Sequence, residues 1–449
     1  MRRPTMPSPR RPHRSTQIIL GCALLGFCLI AIKVATAPAA ALTARVQAQS
    51  ALSPLSKLDQ QKLRESEGLR KAANKTVDAL RLGASSVYEA AAALGTFQGK
   101  YPVKQQDLLV AFPADEAHLP LIQAGRQWHK GIKTVVTVNN VELVKKYAAE
   151  ASGVNEVWLS YRDDVPPLRA KHPGDPRAAL TPWLAHQAVN GTGYKWMLYG
   201  DDDTLWFTGG VLTLLKDLDP QMPYVITDNM WWSDVEGAVG SQPNVMAPRC
   251  LPCNHSTAGF EDVLDKRPFD APQGCPCTAE SLCKAPELAH FFGANCDLPR
   301  HGSRTYSMHG GAGTIISIGM LQTISLEWME QCIWSEQAPG GDGLLMACLW
   351  KAGYAMTDPG FSFYHPELRM FDPVSQEGRQ LLYAFTEGLS GGCDASCQML
   401  LTHVVSSHVR SAVHGIPEAA SMMQAMANIY QLYLQQRGSV IEQVHTSLN

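Results

Sequence analysis

The residues of this chain that most clearly suggest a chemical function are three consecutive acids, Asp201, Asp202 and Asp203. Adjacent carboxylates repel one another, and a hard divalent cation such as Mg²⁺ or Mn²⁺ relieves the repulsion while it also binds phosphate oxygens. In an extended backbone alternate side chains point to opposite sides, so Asp201 and Asp203 would face one way and Asp202 the other. The pair therefore predicts a metal site. A solvated acidic turn that caps the following helix is the alternative.

A strand and a helix are expected on either side of these acids. Residues 196–199 form an apolar run bounded by Gly200, which is typical of a buried strand. Residues 210–218 carry leucines at helical spacing and predict a short helix. Because α/β sheets bind ligands at the carboxyl ends of their strands, the acids lie where such a sheet would have its site.

The chain around this stretch alternates between strand and helix patterns. Strands are predicted over residues 133–138, 157–161, 196–199, 224–227 and 314–318, and helices over 141–151, 178–189, 210–218, 320–332 and 344–350. This order indicates an α/β fold in which helices cover the faces of a parallel sheet. The chain has no Gly-x-Gly-x-x-Gly after its first strand and no P-loop, which argues against a dinucleotide enzyme and an ATPase.

Asp342 is a further carboxylate that could take part in catalysis. It lies in the small-residue turn Gly340-Gly341-Asp342-Gly343, directly before a predicted helix. A carboxylate presented there suits a general base, and it equally suits the N-cap of the helix. Two late histidines, His365 and His408, lie in extended apolar stretches, where a lone histidine is more often structural than a ligand.

Composition and charge indicate a globular protein. The chain has 449 residues, of which 45% are hydrophobic and 18% charged, and its formal net charge is −3. This length can hold one large α/β domain with additional segments. A net charge so close to zero gives no electrostatic reason to expect nucleic acid as a partner.

The N-terminal segment has the pattern of a single membrane anchor. Several arginines precede an uncharged run over residues 18–32, and no other stretch is long and apolar enough to span a bilayer. The basic flank predicts a cytosolic tail over residues 1–17, a transmembrane signal-anchor over 18–36 and a lumenal remainder. The alternatives are a signal peptide cleaved near Ala35-Thr36-Ala37 and an Arg-rich transit peptide.

A helical stem is predicted over residues 37–124, and it would hold a globular domain over residues 125–449 away from the membrane. The first part of the stem is rich in Ala, Leu, Lys, Glu and Gln and has a loose helical pattern. A coiled coil that joins two copies into a homodimer is an alternative for this segment. Glycosylation sequons at Asn74, Asn190 and Asn254 agree with a lumenal location.

Residues 233–304 interrupt the alternation of strands and helices and predict an insertion. The segment is rich in Pro, Gly and Cys and holds six of the ten cysteines that lie outside the anchor. An even number of cysteines in a lumenal chain favours disulfides. Zinc binding by Cys250-x-x-Cys253 together with Cys275-x-Cys277 is the alternative, although the second spacing does not fit a common zinc knuckle.

Four stretches stand in a fixed order: KWMLYGDDDT, HGGAGTIIS, GGDGLLMAC and a late histidine strand in VSSHV. Together they resemble the Fringe-like β1,3-glycosyltransferases, which include core 1 β1,3-galactosyltransferases, over residues 133–409 without the insertion. The resemblance implies a GT-A fold, the Rossmann-like fold of nucleotide-sugar transferases. It also implies a UDP-sugar donor (UDP-galactose or UDP-GlcNAc), Mn²⁺ or Mg²⁺, and a glycan or glycoprotein acceptor. The implied enzyme is an inverting hexosyltransferase of the Golgi or ER membrane, for example an N-acetylgalactosaminide β-1,3-galactosyltransferase.

The resemblance implies a metal and nucleotide site around the acidic triplet. Asp201 and Asp203 match the metal-binding acids of the family, and Asp202 lies beside them in the cofactor site. The late metal-binding histidine has two candidates in this chain. His408 matches the late histidine strand of core 1 enzymes, and His365 matches the Fringe spacing. His408 is preferred.

The resemblance also implies roles outside the metal site. Asp342 matches the catalytic base of the family. The glycine turn matches a family turn that forms backbone of the sugar site, and Cys332 and Cys348 match a disulfide pair. The glycines of that turn are Gly310, Gly311 and Gly313.

Two positions depart from the family pattern near the base. Gly341 replaces a residue that is usually acidic, and Met346 replaces a glycine. These departures concern the choice of acceptor more than the chemistry. Two other functions remain as alternatives: a retaining transferase with the same fold, and a catalytically inactive sugar-binding or scaffold protein of the secretory pathway.

Overall fold

The structure, a computed structural model, describes residues 99–162, 173–227, 229–233, 241–243, 247–253, 273–286, 292, 295–298, 305–338, 340–359, 370–371, 389, 401 and 404–448. These ranges all belong to one structural unit, Glu65–Asn449. No helix within them is long and apolar enough to cross a membrane. The predicted anchor over residues 18–36 lies outside the described residues.

The described part of the chain alternates between short strands and helices. The strands are β1 (Leu108–Pro113), β2 (Lys133–Val138), β3 (Glu156–Ser160), β4 (Trp196–Tyr199), β5 (Thr204–Trp206), β6 (Val225–Ile226), β7 (Asn229–Ser233), β8 (Ser241–Pro243), β9 (Leu251–Pro252), β10 (Gln273–Gly274), β11 (Thr305–Met308), β12 (Thr314–Ser317), β13 (Met370–Phe371) and β14 (Ser406–His408). The helices are α1 (Leu119–Gly125), α2 (Val141–Gly153), α3 (Asp175–Ala188), α4 (Thr208–Leu215), α5 (Ala279–Cys283), α6 (Ile318–Thr323), α7 (Leu326–Ser335), α8 (Gly340–Lys351), α9 (Ser411–His414) and α10 (Ile416–Leu448).

The central element is a six-stranded sheet with the order β3-β2-β1-β4-β12-β6. The first four of these strands are parallel to one another, whereas β12 runs antiparallel to both β4 and β6. This confirms the prediction of an α/β fold built on a mainly parallel sheet. The strand order reverses direction between β1 and β4, and such a switch point opens a crevice at the carboxyl ends of the strands.

Strand β1 corrects the predicted boundary between stem and globular domain. It lies between β2 and β4 in the middle of the sheet, although it precedes residue 125. Its sequence, Leu-Leu-Val-Ala-Phe-Pro, is almost entirely buried. A continuous apolar run of this kind is what a parallel strand covered on both faces requires. The domain therefore includes residues that the sequence pattern assigned to the stem.

Helices α3, α7 and α8 form a layer beside the sheet. Helix α3 packs against β1, β2, α7 and α8, and its buried Trp183 donates a hydrogen bond to the carbonyl oxygen of Ile324 at 2.7 Å. The single helix predicted over residues 320–332 is two helices. Helix α7 has its own N-cap, because the Ser325 hydroxyl accepts a hydrogen bond from the Trp328 amide.

A disulfide joins α7 to α8. It links Cys332 to Cys348 with a Cα–Cα distance of 5.8 Å, and this is the pair that the sequence resemblance implies. On the entropic model a closed loop of this size stabilises a fold by about 3 kcal/mol. The bond holds α8, which carries Asp342, against its neighbour in the layer.

The C-terminal helix α10, for which the sequence analysis made no prediction, packs against α1. The Trp128 indole donates a hydrogen bond to the Met423 carbonyl oxygen at 3.0 Å, and the ring of Trp128 stacks on Tyr430. The Tyr430 hydroxyl accepts a hydrogen bond from the Gly209 amide at the start of α4. These contacts connect the end of the domain to the helix that follows the acidic triplet.

The predicted insertion over residues 233–304 begins and ends at one point of the fold. Strands β7 and β11 pair antiparallel, with Ser233 opposite Thr305. The six cysteines inside it are bridged as disulfides, so the zinc alternative is wrong. The pairs are Cys250–Cys277, Cys253–Cys275 and Cys283–Cys296.

The sequons are only partly covered by the described residues. Asn190 is exposed and lies in the turn that follows α3. Asn74 and Asn254 lie outside the described residues. Asn190 is therefore accessible for glycan attachment.

Candidate functional site

The acidic triplet lies directly after β4, at the switch point of the sheet. The Asp201 amide donates a hydrogen bond to the Thr204 hydroxyl at 3.0 Å, and that hydroxyl donates to the Gly311 carbonyl oxygen at 2.8 Å. The Thr204 amide in turn donates to the Asp201 carbonyl oxygen. The acids thus form a tight turn between β4 and β5, because hydrogen bonds join Asp201 at its start to Thr204 at its end.

Two of the three acids meet a histidine from the far end of the chain. Strand β14 pairs with β5, and this pairing sets His408 opposite Thr204. The ligand atoms of Asp201, Asp203 and His408 lie within 4.8 Å of one another, and His408 Nε2 is 3.4 Å from Asp203 Oδ1. This cluster could bind a metal ion. His365, the other candidate histidine, lies outside the described residues.

Asp202 faces away from this cluster. Its Oδ2 is 2.6 Å from Nδ1 of His118, which precedes α1. This hydrogen bond raises the pKa of His118 to about 9. The alternation expected for an extended segment is therefore present, and the assignment of Asp202 to the cofactor site stays a prediction. Its carboxylate contacts His118 and does not line the cavity described below.

The three residues that could bind the ion, Asp201, Asp203 and His408, are called the metal cluster below, and their side chains differ in pKa. Burial and the neighbouring Asp203 raise the pKa of Asp201 to about 7. Burial acts in the same direction on Asp203, but hydrogen bonds from His408 and Ser411 lower its pKa to about 2. Burial opposes charge on His408, and Asp203 more than offsets it and raises the pKa of His408. The cluster therefore holds protons near neutral pH that a metal ion would displace.

A cavity of about 410 Å³ opens beside the metal cluster. Its lining comes from the acidic turn, the glycine turn, the starts of α3 and α8, β7 and the segment after β14. The lining residues are Asp175, Ala178, Tyr199, Asp201, Trp231, His309, Gly310, Gly311, Gly340, Gly341, Asp342, His408, Arg410, Ala412 and Val413. The volume is in the range of small-molecule sites.

The glycine turn separates the metal cluster from Asp342. A side-chain carbon at Gly310 would lie 3.4 Å from both carboxylate oxygens of Asp201 and 3.6 Å from Cβ of Asp342. At Gly311 it would lie 2.3 Å from the His408 ring, which only glycine permits. Gly310 and Gly311 therefore form backbone of the cavity, as the resemblance implies. Gly313 (φ 85°) lies against Trp206 and does not line the cavity.

Asp342 lines the cavity beside Gly310. Its Oδ2 accepts a hydrogen bond from the Gly310 amide at 3.2 Å, and its Oδ1 accepts one from the Gly343 amide at 2.8 Å. Burial raises its pKa to about 6, although these two amides favour the charged form. A carboxylate with this pKa is mostly deprotonated at pH 7 and can still accept a proton, as a general base must.

Helix α8 begins earlier than expected. It starts at Gly340 and not at Leu344, so Asp342 lies in the first turn of the helix and not at the N-cap position that was the alternative to a general base. A side-chain carbon at Gly341 would lie 2.5 Å from Cβ of Ala178 and 2.9 Å from the carbonyl oxygen of Asp175. Gly341 thus allows α8 to approach α3, which explains why no acidic side chain stands there.

Asp175, Trp231, His309 and Arg410 are among the cavity residues that were not predicted as site residues. Asp175 is buried at the first position of α3. Trp231 stacks on His309, with ring centroids 5.2 Å apart. Arg410 follows β14. The adjacent tryptophans at 231 and 232 and the position of His309 beside the glycine turn were signals for two of them, whereas Asp175 and Arg410 stand in no recognisable motif.

The sequence matches no protein-family model and no curated protein. The function must therefore be inferred from the geometry of the cavity and from the ordered motifs. The cavity has a cluster of three residues that could bind a metal ion, a separate buried carboxylate and a glycine turn between them. All three lie at the carboxyl edge of a mainly parallel sheet.

Proposed function

We propose that this chain is a metal-dependent inverting glycosyltransferase with a GT-A fold, related to the Fringe-like β1,3-glycosyltransferases. It would transfer a hexose or N-acetylhexosamine from UDP-galactose or UDP-GlcNAc to a hydroxyl of a glycan or glycoprotein. One observation supports the proposal most strongly. Asp201 of the metal cluster and the separate carboxylate Asp342 line the same cavity, with the glycine turn between them.

The donor set of the cluster fits Mn²⁺. Two carboxylates and one imidazole are ligands that Mn²⁺ accepts, and Mg²⁺ accepts the carboxylates as well. Asp201, Asp203 and His408 would hold the ion. When bound, the ion supplies Lewis-acid stabilisation of negative charge on the leaving diphosphate.

Asp342 supplies the base in this mechanism. It accepts the proton of the acceptor hydroxyl as the hydroxyl oxygen forms a bond to the anomeric carbon of the donor sugar. The bond from that carbon to the diphosphate oxygen breaks in the same step, and its electron pair leaves with UDP. A single displacement of this kind inverts the configuration at the anomeric carbon.

Other cavity residues suit a carbohydrate ligand. Trp231 offers an aromatic side chain at the cavity, and its ring is already oriented by stacking on His309. Burial lowers the pKa of His309 to about 3, so this imidazole is neutral at physiological pH. Its Nδ1 accepts a hydrogen bond from the Ala312 amide, which leaves the proton on Nε2. Neutral donors and acceptors of this kind recognise sugar hydroxyls.

The proposal includes a location in the secretory pathway. The four disulfides of the described residues are stable in an oxidising compartment, such as the lumen of the ER or Golgi. The uncharged run after the N-terminal arginines would act as a single-pass type II anchor, with the catalytic domain on the lumenal side.

A donor panel tests the proposed function. The purified protein is incubated with Mn²⁺, each of several UDP-sugars and a mixture of glycan acceptors, and released UDP is measured with and without a chelator. The proposal predicts Mn²⁺-dependent UDP release from one donor, its loss in Asp203→Asn, and normal release by Glu142→Gln, which removes an exposed charge on α2. Absence of UDP release from every donor would favour an inactive sugar-binding protein, and an α-linked product would favour a retaining transferase.

A further inference from the structure

Arg410 lies in an unusual backbone conformation at the edge of the cavity. It follows His408 by two residues and has φ 58° and ψ 61°, a left-handed backbone conformation that residues other than glycine rarely adopt. Such a conformation is strained and persists where surrounding contacts impose it. Arg410 lines the same cavity as Asp201 and Asp342.

Contacts with a metal-cluster residue hold this turn. The Val409 amide donates a hydrogen bond to the Asp203 carbonyl oxygen at 3.1 Å, and the Ser411 amide donates to Asp203 Oδ2 at 2.7 Å. The backbone on both sides of Arg410 is therefore fixed to Asp203. The backbone that carries the Arg410 side chain therefore lies next to Asp203.

Arg410 also differs from its neighbours in charge. Among the described residues that line the cavity, it alone is a lysine or arginine, whereas three lining residues are aspartates: Asp175, Asp201 and Asp342. A permanent cation in an otherwise acidic cavity favours a ligand that carries negative charge near the metal cluster.

We propose that Arg410 binds the diphosphate of the nucleotide-sugar donor, beside the ion held by Asp201, Asp203 and His408. This proposal rests on the proposed function and deepens it. A guanidinium group donates paired hydrogen bonds to phosphate oxygens. When the bond between the anomeric carbon and the diphosphate oxygen breaks, the electron pair stays on that oxygen, and Arg410 stabilises the added charge without transferring a proton.

Binding of UDP and of inorganic pyrophosphate in the presence of Mn²⁺ tests the proposal. Calorimetry compares the wild-type protein with Arg410→Gln, which removes the charge, and Arg410→Lys, which keeps it. A charge-assisted hydrogen bond predicts about 10- to 100-fold weaker binding of both probes to Arg410→Gln and a smaller loss for Arg410→Lys. The control Lys145→Met removes one exposed charge on α2 and should bind both probes as the wild-type protein does.

Two further readouts separate ligand binding from a structural role. The Mn²⁺ affinity and the midpoint of thermal unfolding without ligand should be the same in Arg410→Gln and wild type. Wild-type affinity for UDP and pyrophosphate in Arg410→Gln would overturn the proposal, as would an equal loss of Mn²⁺ affinity. If Arg410→Gln fails to fold, Arg410→Lys decides, since unchanged binding there would overturn the paired contact.

The same experiment distinguishes this inference from the proposed function. Wild-type protein that binds no UDP with Mn²⁺ would overturn both, because no nucleotide donor would then use the cavity. Wild-type protein that binds UDP tightly, together with an Arg410→Gln variant of equal affinity, would overturn only the role of Arg410.

Discussion

At the scale of single residues, the three adjacent aspartates lie in two different environments. Asp201 and Asp203 share a cluster with His408, while Asp202 turns to His118. His118 compensates the charge of the outward carboxylate, which would otherwise be buried without a partner of opposite charge. The two inward carboxylates face His408, and a divalent cation would offset the negative charge of this pair.

Metal affinity should depend on pH because of this arrangement. The pKa of Asp201 is raised to about 7, and the pKa of His408 is raised as well, so both groups carry protons near neutral pH. Mn²⁺ must displace these protons, and its affinity should therefore rise as pH increases from 6 to 8, by about tenfold per unit for each displaced proton.

Calorimetric titration with Mn²⁺ at three pH values measures this dependence. Repeating the titration in buffers of different ionisation enthalpy counts the released protons. A Mn²⁺ affinity that does not change between pH 6 and 8 would contradict the protonation states derived from burial and from the carboxylate neighbours.

Replacing Asp342 by Asn should separate chemistry from stability. Both carboxylate oxygens accept backbone amides, from Gly310 and Gly343. An Asn side chain has one acceptor and would direct its NH₂ group at an amide donor, so we expect the free energy of unfolding to fall by about 1–3 kcal/mol. The transfer rate should fall by on the order of 10²-fold or more, since the amide cannot accept the proton.

Urea denaturation and initial-rate assays at saturating donor measure these two effects. The transfer rate of the wild-type protein should itself fall as pH decreases through about 6, because Asp342 must be deprotonated to act as a base. Near-normal transfer by the Asn variant would show that Asp342 is not the base, and Asp175 would be the next carboxylate of the cavity to test.

At the scale of elements, the contact between α3 and α8 sets the position of Asp342. Gly341→Ala would force a carbon to within 2.5 Å of Cβ of Ala178. Overpacking of this kind should lower the free energy of unfolding by about 1–3 kcal/mol. Gly153→Ala at the end of α2 is the matched control. It meets nothing within 4 Å and should be neutral or slightly stabilising.

Equilibrium unfolding of the two alanine variants measures this difference. Equal stability of Gly341→Ala and Gly153→Ala would mean that the two helices can separate without cost. The close approach would then not be what fixes Asp342.

Local sequence patterns were sufficient for elements with one strong signal. β2 and β4 have the predicted bounds, and the cysteine-rich insertion has its ends where composition changes. Strand β1 was missed, because its apolar run follows a helical pattern and lies inside the segment that was assigned to the stem. A buried helix segment and a buried strand cannot be distinguished by periodicity in so short a run.

The candidate site was predictable only where residues form a motif. The acidic triplet, the glycine turn and Asp342 each stand in a recognisable short pattern. Asp175 and Arg410 reach the cavity from α3 and from the segment after β14, so only the folded chain brings them there. Neither residue has a local pattern that indicates its role, and the cavity could not be completed from sequence alone.

At the scale of the whole molecule, the site joins distant parts of the chain. The acidic turn follows β4, the glycine turn precedes β12, Asp342 begins α8 and His408 ends β14. The mixed sheet brings the first two together because β12 pairs with β4. The packing of α8 on α3 places Asp342 at the site, and the pairing of β14 with β5 places His408 there.

The most direct test of this account is Mn²⁺ binding by three single variants of the acidic triplet. Electron paramagnetic resonance distinguishes free from bound Mn²⁺ and needs no knowledge of the donor or acceptor. Asp201→Asn and Asp203→Asn should weaken binding by about 100-fold or more, since each removes a direct ligand. Asp202→Asn should bind nearly as well as wild type, because Asp202 faces His118. Wild-type affinity in Asp203→Asn, or an equal loss in all three variants, would contradict a metal site formed by Asp201, Asp203 and His408.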